Sequence, residues 1–219
     1  MKINLLKSLP KNWKKKPLNI RKKASTNDRI LTWKLDKEYF DGTREQGYGG
    51  YKYDGRWKPV AQEIIKYYKL TDKSKILDIG CSKGYLLEEF RKLLKKPTLC
   101  GVDISSYAIK NSLKKNKILT IGNATTLPFD DKYFDLVISI NSLHNILNFK
   151  ELSKAINEIN RVSKKNIYIT LGSYKNQKEK KILDDWAVLA TTYMSNKGWE
   201  KFFKKTKYKG DYWWFTPTV

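Results

Sequence analysis

The chain has 219 residues, 40% hydrophobic and 13% aromatic, enough for one substantial core and cramped for two. Its formal net charge of +23 suggests RNA or an anionic membrane surface as partner, but arginine occurs only at 21, 29, 44, 56, 91 and 161, and lysine is the more generic solubilising charge. Two cysteines and one histidine exclude a disulfide framework and a Cys- or His-based metal site; no apolar run can span a bilayer, and MKINLLKSLPKNWKKK is too poor in apolar residues for a secretory signal, so a cytoplasmic location is expected.

Residues 1–35 read as a basic N-terminal arm, mobile or loosely docked, with Trp13 as a candidate anchor. Residues 36–74 begin with DKEYFDGTREQGYGGYKYDGRW, unlike a regular helix or a clean strand, and read as an ordered Tyr/Gly-rich loop followed by a helix over KPVAQEIIKYYKL. From 75 to 219 short apolar strands alternate with helical stripes: KILDI, LCGVD, ILTIG, FDLVISI and NIYITL are the strands. Leu86, Leu87, Phe90, Leu93 and Leu94 mark the first helix between them, Ser105 or Ser106 caps the second, and Leu152, Ile156, Ile159 and Val162 mark the third. A helical insertion is expected at about 173–207, then a last strand around 211–216. Strands apolar along their whole length predict an α/β fold, a Rossmann-like doubly wound sheet, mostly parallel, with an antiparallel strand near the C-terminus.

In open parallel sheets ligands sit at the carboxyl ends of the strands, near the switch in strand order. In KILDIGCSKGYLLEEF the turn Gly80-Cys81-Ser82-Lys83-Gly84 follows Asp78, whose carboxylate would repel a pyrophosphate, which argues against a dinucleotide. A ligand with cationic groups and no phosphate suits it, and S-adenosylmethionine carries an ammonium and a sulfonium. Asp103, at the end of the second strand, can accept both hydroxyls of a ribose; Asn123 and Ala124 can meet an adenine edge, and an Asx turn is the plain structural alternative for each. Ser82 replaces a more usual glycine and is tolerable if its backbone needs no positive φ. Lys83 is expected to face solvent.

The run from LDIGCSKG through GVDIS and GNATTLPFDDKYFDLVISINSLHNI to NEINRVSKKNIYIT resembles class I S-adenosylmethionine-dependent methyltransferases of the type 11 group, over about residues 60–172. The resemblance implies that Asp78, Gly80 and Gly84 face the methionine part, with Cys81 and Ser82 in the same cofactor-binding turn, Asp103 and Ile104 the ribose and adenine, Asn123 and Ala124 the adenine, and Asn141 the cofactor's other side. Asn123 stands where an aspartate is commoner. The loop DGTREQGYGGYKYDGRW resembles a bacterial subgroup associated loosely with modification of sugars and surface glycans.

Methyl transfer from a sulfonium is an in-line displacement that positioning and water exclusion can drive without a metal. His144 is the candidate general base, weighed equally against a histidine that caps a helix or packs beneath the cofactor. The Tyr48–Trp57 loop is expected to fold over the cofactor, with Arg56 on its carboxylate, Tyr53 beside it, and Tyr48 and Tyr51 near the acceptor; Trp186 and Tyr193 are weaker acceptor contacts. The expected acceptor is a small molecule or saccharide methylated on oxygen or nitrogen. An RNA acceptor steered by the basic surface is the alternative, and a catalytically silent binding module a third reading.

Overall fold

A computed structural model describes residues 1–10, 23–113 and 118–217. Two short helices, α1 (Thr26–Lys34) and α2 (Lys37–Asp41), precede α3 (Lys58–Tyr68). Then follow β1 (Lys75–Ile79), α4 (Tyr85–Leu93), β2 (Thr98–Asp103), α5 (Ser106–Lys110), β3 (Leu119–Ile121), β4 (Phe134–Ile140), α6 (Phe149–Val162), β5 (Ser163–Tyr174), α7 (Gln177–Trp186), β6 (Met194–Ser195), α8 (Asn196–Lys205) and β7 (Asp211–Phe215). The helix starts are encoded locally: Asn148, Asn176 and Ser195 accept a backbone N–H of the first turns of α6, α7 and α8, and Ser25 with Asp28 forms a capping box on α1.

The strands order β3-β2-β1-β4-β5, with β7 on the far side of β5 and β6 pairing only Ser173 and Tyr174 beyond it. Consecutive strand residues point to opposite faces and both faces are covered, which is why the strands are apolar throughout. Ile76, Leu136, Ile138 and Tyr168 pack with Val60, Ile64 and Phe90 on one face; Leu77, Val137, Ile167 and Ile169 pack with Leu152, Ile156, Ile159 and Trp199 on the other.

Three expectations are corrected here. The C-terminal strand is parallel, since the register of β5 on β7 ascends on both strands from Tyr168–Asp211 to Gly172–Phe215. The segment from Lys175 to Gly210, with its two helices, is the long crossover that parallel pairing requires. The N-terminal arm is not loosely docked over its first nine residues: Leu5, Leu6 and Leu9 are buried in the core, and Ile3 N–H donates to the Tyr212 carbonyl at 2.9 Å, covering the outer edge of β7. The Tyr168 hydroxyl fixes this segment, accepting from Leu5 N–H at 3.1 Å and donating to the Ile3 carbonyl at 3.2 Å. Trp13 and the lysines around it lie outside the described residues. Finally, the segment from Thr26 to Asp41, read as arm and loop, is a helical pair; α1 starts at its capping box and α2 at Asp36, which accepts from Lys37 N–H. No helix among the described residues is long and apolar enough to cross a membrane.

Candidate active site

The sheet reverses its strand order at β1, with β2 on one side and β4 on the other. A cavity of about 340 Å³ opens there, at the carboxyl ends of β1 to β4. Its floor is built from Gly80 and Ser82 after β1, Asp103 and Ile104 at the end of β2, Gly122 to Thr125 after β3, and Asn141 and Ser142 after β4. Trp33, Leu35, Tyr39, Phe40 and Tyr48 form the roof.

The first turn is tightly held. Gly80 and Cys81 N–H donate to the Val102 carbonyl at 2.7 and 3.2 Å, and Ser82 N–H donates to Asp103 Oδ2 at 2.7 Å. Gly80 (φ +74°) and Gly84 (φ +74°) take the left-handed conformation, and a Cβ on Gly80 would strike Ser142. Ser82 also has positive φ, +53°, so its tolerance of the missing glycine does not come from an ordinary backbone conformation. The Ser82 Oγ is buried without a hydrogen-bond partner.

Asp103 is fixed from two sides, Oδ2 by Ser82 and Oδ1 by Ser105 N–H at 2.8 Å. Each oxygen keeps a further acceptor direction for a ribose hydroxyl. Asp78 lies buried behind the turn, and no donor among the described residues hydrogen-bonds its carboxylate. Burial, and then the charge of Asp103, raises the Asp78 carboxyl to about 7; burial also raises Asp103, against the pull of its backbone donors. The two acidic groups thus oppose each other's ionisation, and among the described residues that line the cavity there is no lysine or arginine. The Tyr39 and Tyr48 phenols of the roof hydrogen-bond to each other, and desolvation raises both, Tyr48 to about 12, so both stay neutral.

Gly80, Ser82, Asp103, Ile104, Asn123, Ala124, Asn141 and Tyr48 are thus brought together on one cavity. Asn123 Oδ1 accepts from Thr125 N–H at 3.0 Å, the Asx turn, while Asn141 (φ +52°) is held by Thr170, whose hydroxyl donates to its Oδ1 at 3.0 Å. Asp78, Cys81 and Gly84 support the turn from below without lining the cavity. Other expected residues lie away from it. Arg56 is paired with Asp54 at 2.8 Å, and Tyr53 is bonded to Glu89 on α4, because the loop after Tyr51 runs over the outer surface of that helix. Tyr51 stacks between Tyr48 and Tyr85, Trp186 packs on Phe215 and under Arg44, and Tyr193 bonds Asp184.

His144 is buried; its Nδ1 accepts from Gly172 N–H at 3.0 Å, and burial lowers its imidazole to about 4, so it is neutral with its proton on Nε2. Lys83, expected in solvent, is buried and donates to both Asp41 oxygens at 2.6 and 2.8 Å and to the Tyr51 carbonyl at 3.2 Å. Tyr107 donates to the same Asp41 at 2.7 Å. The turn that faces the cavity floor therefore also anchors the roof. The roof residues Trp33, Leu35, Tyr39 and Phe40 were missed by sequence reasoning; the Ser25–Asp28 capping box was the signal that a helix starts there.

Residues 77–171 match the family model described as methyltransferase domain. A Methanocaldococcus jannaschii protein, "Uncharacterized protein MJ1252", is 34% identical over 129 residues, covering 58% of this chain and 47% of that one. The Arabidopsis thaliana tRNA (carboxymethyluridine(34)-5-O)-methyltransferase is 29% identical over 140 residues, covering 64% of this chain and 33% of its own. The chain thus spans half or less of the length of these two relatives. Among solved structures, an Archaeoglobus fulgidus protein described as a SAM-dependent methyltransferase superposes with a TM-score of 0.53 at 21% identity, covering 78% of this chain and 71% of that one, a likeness of fold. The unpartnered Ser82 Oγ, the Asp78 carboxyl and the free acceptor directions of Asp103 would suit a polar, cation-bearing nucleoside. Residues 77–171, which supply the cavity floor, are thus similar to methyltransferase domains.

Proposed function

We propose that the chain transfers the methyl group of S-adenosylmethionine to an oxygen or nitrogen of a small-molecule or saccharide acceptor. The observation that carries this reading is the pair of buried Asp78 and half-buried Asp103, at the ends of adjacent strands beneath one cavity whose described lining residues include no lysine or arginine. The bound cofactor supplies an electrophilic methyl on a positively charged sulfur. Asp103 accepts from the ribose hydroxyls, the Ser82 Oγ takes a polar group of the amino-acid tail, and the bonded pair Tyr39 and Tyr48, which keeps one O–H to donate, excludes water from the roof. The Asn123 turn and Ala124 meet the adenine edge. His144 we assign to the scaffold, since its Nδ1 is engaged by Gly172 and its ring does not line the cavity.

Calorimetry of the chain with S-adenosylmethionine, S-adenosylhomocysteine and NADH tests the assignment. Heat with the first two, lost in Asp103→Ala, is expected; uptake of NADH alone refutes it.

An RNA acceptor is favoured by the net charge of +23 and by the tRNA-modifying relative. It requires tight RNA binding that weakens steeply with salt, measured by filter binding.

A further inference from the structure

Apart from Met1, three of the six large apolar side chains that the described residues expose line this cavity. Trp33, Ile104 and Leu147 line it at 47%, 60% and 68% exposure; Ile30 stands one helical turn before Trp33, Ile121 precedes Gly122, and Phe149 follows Asn148. In a chain with 31% charged residues such clustering is not a shortage of polar side chains. These side chains are held, not frayed. The Thr32 hydroxyl donates to the Gln46 carbonyl at 2.9 Å and the Ser105 hydroxyl to the Leu35 carbonyl at 2.5 Å, which fixes Trp33 between them. Across the mouth, the Thr191 and Thr192 hydroxyls both donate to the Ile146 carbonyl, at 2.9 and 3.0 Å, which fixes the turn carrying Leu147. The second observation is electrostatic. Among the described residues that line the cavity there is no lysine or arginine, although the chain has 45 of them, and the charged groups there are Asp103 and Glu151.

We propose that the mouth receives the apolar body of a neutral acceptor, an aromatic or chain-bearing hydroxyl or amine arriving as a free small molecule. The inference rests on the S-adenosylmethionine reading of the same site and narrows its acceptor. A phosphorylated acceptor, RNA or a nucleotide sugar, meets Glu151 and no counter-charge among the described lining residues. A free sugar leaves the apolar rim uncovered. In the step, a lone pair of the acceptor forms the bond to the methyl carbon, the electrons of the broken carbon–sulfur bond return to sulfur, S-adenosylhomocysteine leaves, and the acceptor's proton passes to water.

The test uses the full chain loaded with S-adenosylhomocysteine and titrated calorimetrically with para-alkylphenols of increasing chain length, a nucleotide sugar and a short single-stranded RNA. Affinity for the phenols is expected to rise roughly fourfold per added methylene until the rim is covered. Leu147→Ser, at an exposed position, is expected to weaken the longest phenol about tenfold while S-adenosylhomocysteine binding stays within about twofold. Tight S-adenosylhomocysteine binding with phenol affinity independent of chain length, or with preference for the nucleotide sugar or RNA, overturns this inference alone. No S-adenosylhomocysteine binding to the wild-type chain overturns the cofactor reading and this inference with it.

Discussion

Replacing Ser82 separates what this residue costs the fold from what it gives the cofactor. Its φ of +53° places an L side chain in the left-handed region, at a cost of about 1–2 kcal/mol. Its buried Oγ has no partner in the free protein, which adds roughly 1–3 kcal/mol. Glycine relieves both and gives back about 0.5–1 kcal/mol through the greater freedom of the unfolded chain. Ser82→Gly should therefore stabilise the free protein by about 1–4 kcal/mol, and Ser82→Ala, which keeps the strained backbone, by about 1–3 kcal/mol. For a chain of this size each kcal/mol moves the midpoint by roughly 2–4 °C, so thermal unfolding should rank glycine above alanine above wild type. The Asp103 contact survives in every variant, because the donor is the backbone N–H of residue 82. Cofactor affinity should run the other way, each variant losing about two- to tenfold by calorimetry if the Oγ receives a hydrogen bond from the ligand. A Ser82→Gly chain that melts below wild type would refute the reasoning about strain. Equal cofactor affinity in all three would remove the Oγ from the site.

The pH dependence of the free protein should carry the signature of Asp78. Its folded-state carboxyl, at about 7, lies above the ordinary 3.8, so the native state holds a proton that the unfolded chain has released; this contribution is full below about pH 4 and is lost as pH rises through about 7. Asp78→Asn should flatten the fall in midpoint between those values in thermal scans, while S-adenosylmethionine affinity of the wild type should rise over the same interval as the carboxylate ionises. Lys83→Met should cost about 1–3 kcal/mol in denaturant unfolding by leaving Asp41 unpaired in its half-buried position. Adding Asp41→Asn should recover part of that loss, and simple additivity of the two would argue against a direct pair. His144→Gln should lower stability without changing turnover per folded molecule by more than about threefold, and a loss near the hundredfold typical of a proton-transfer residue would return His144 to the chemistry.

What is legible along the chain is whatever depends on neighbours in sequence. The strand residues that alternate between two covered faces, the capped helices and the carboxylates at strand ends follow from local periodicity and from the rule that places ligands at a switch in strand order. Contacts that close over long separations were not legible. Nothing in the composition of the first nine residues says that Leu5 packs beneath Tyr168, and nothing in SKG says that Lys83 turns inward to an aspartate in the preceding helical pair. The loop rich in Tyr and Gly invited a lid, but its Arg56 found a nearer partner in Asp54 two residues away, and local pairing won over reach into the cavity. The direction of the last strand failed for a similar reason, since the length and path of its crossover decide it rather than the strand's own residues.

A chain with a net charge of +23 is at first sight an odd host for a cationic ligand. The resolution lies in where the charges are. Exposed lysines act through water and salt, and beyond about 8 Å at physiological ionic strength their field is largely screened. Asp103 lines the cavity and Asp78 is buried behind the turn, where the field is poorly screened, so the charge of Asp103, joined by that of Asp78 as pH rises through about 7, prevails there over the sign of the surface. Cofactor affinity should accordingly change little between low and physiological salt, whereas any binding of polyanions to the exterior should fall steeply over the same range. If titrations at several salt concentrations gave a strong dependence for S-adenosylmethionine, the ligand would be sensing the lysine surface, and the acidic pair could not be what selects it.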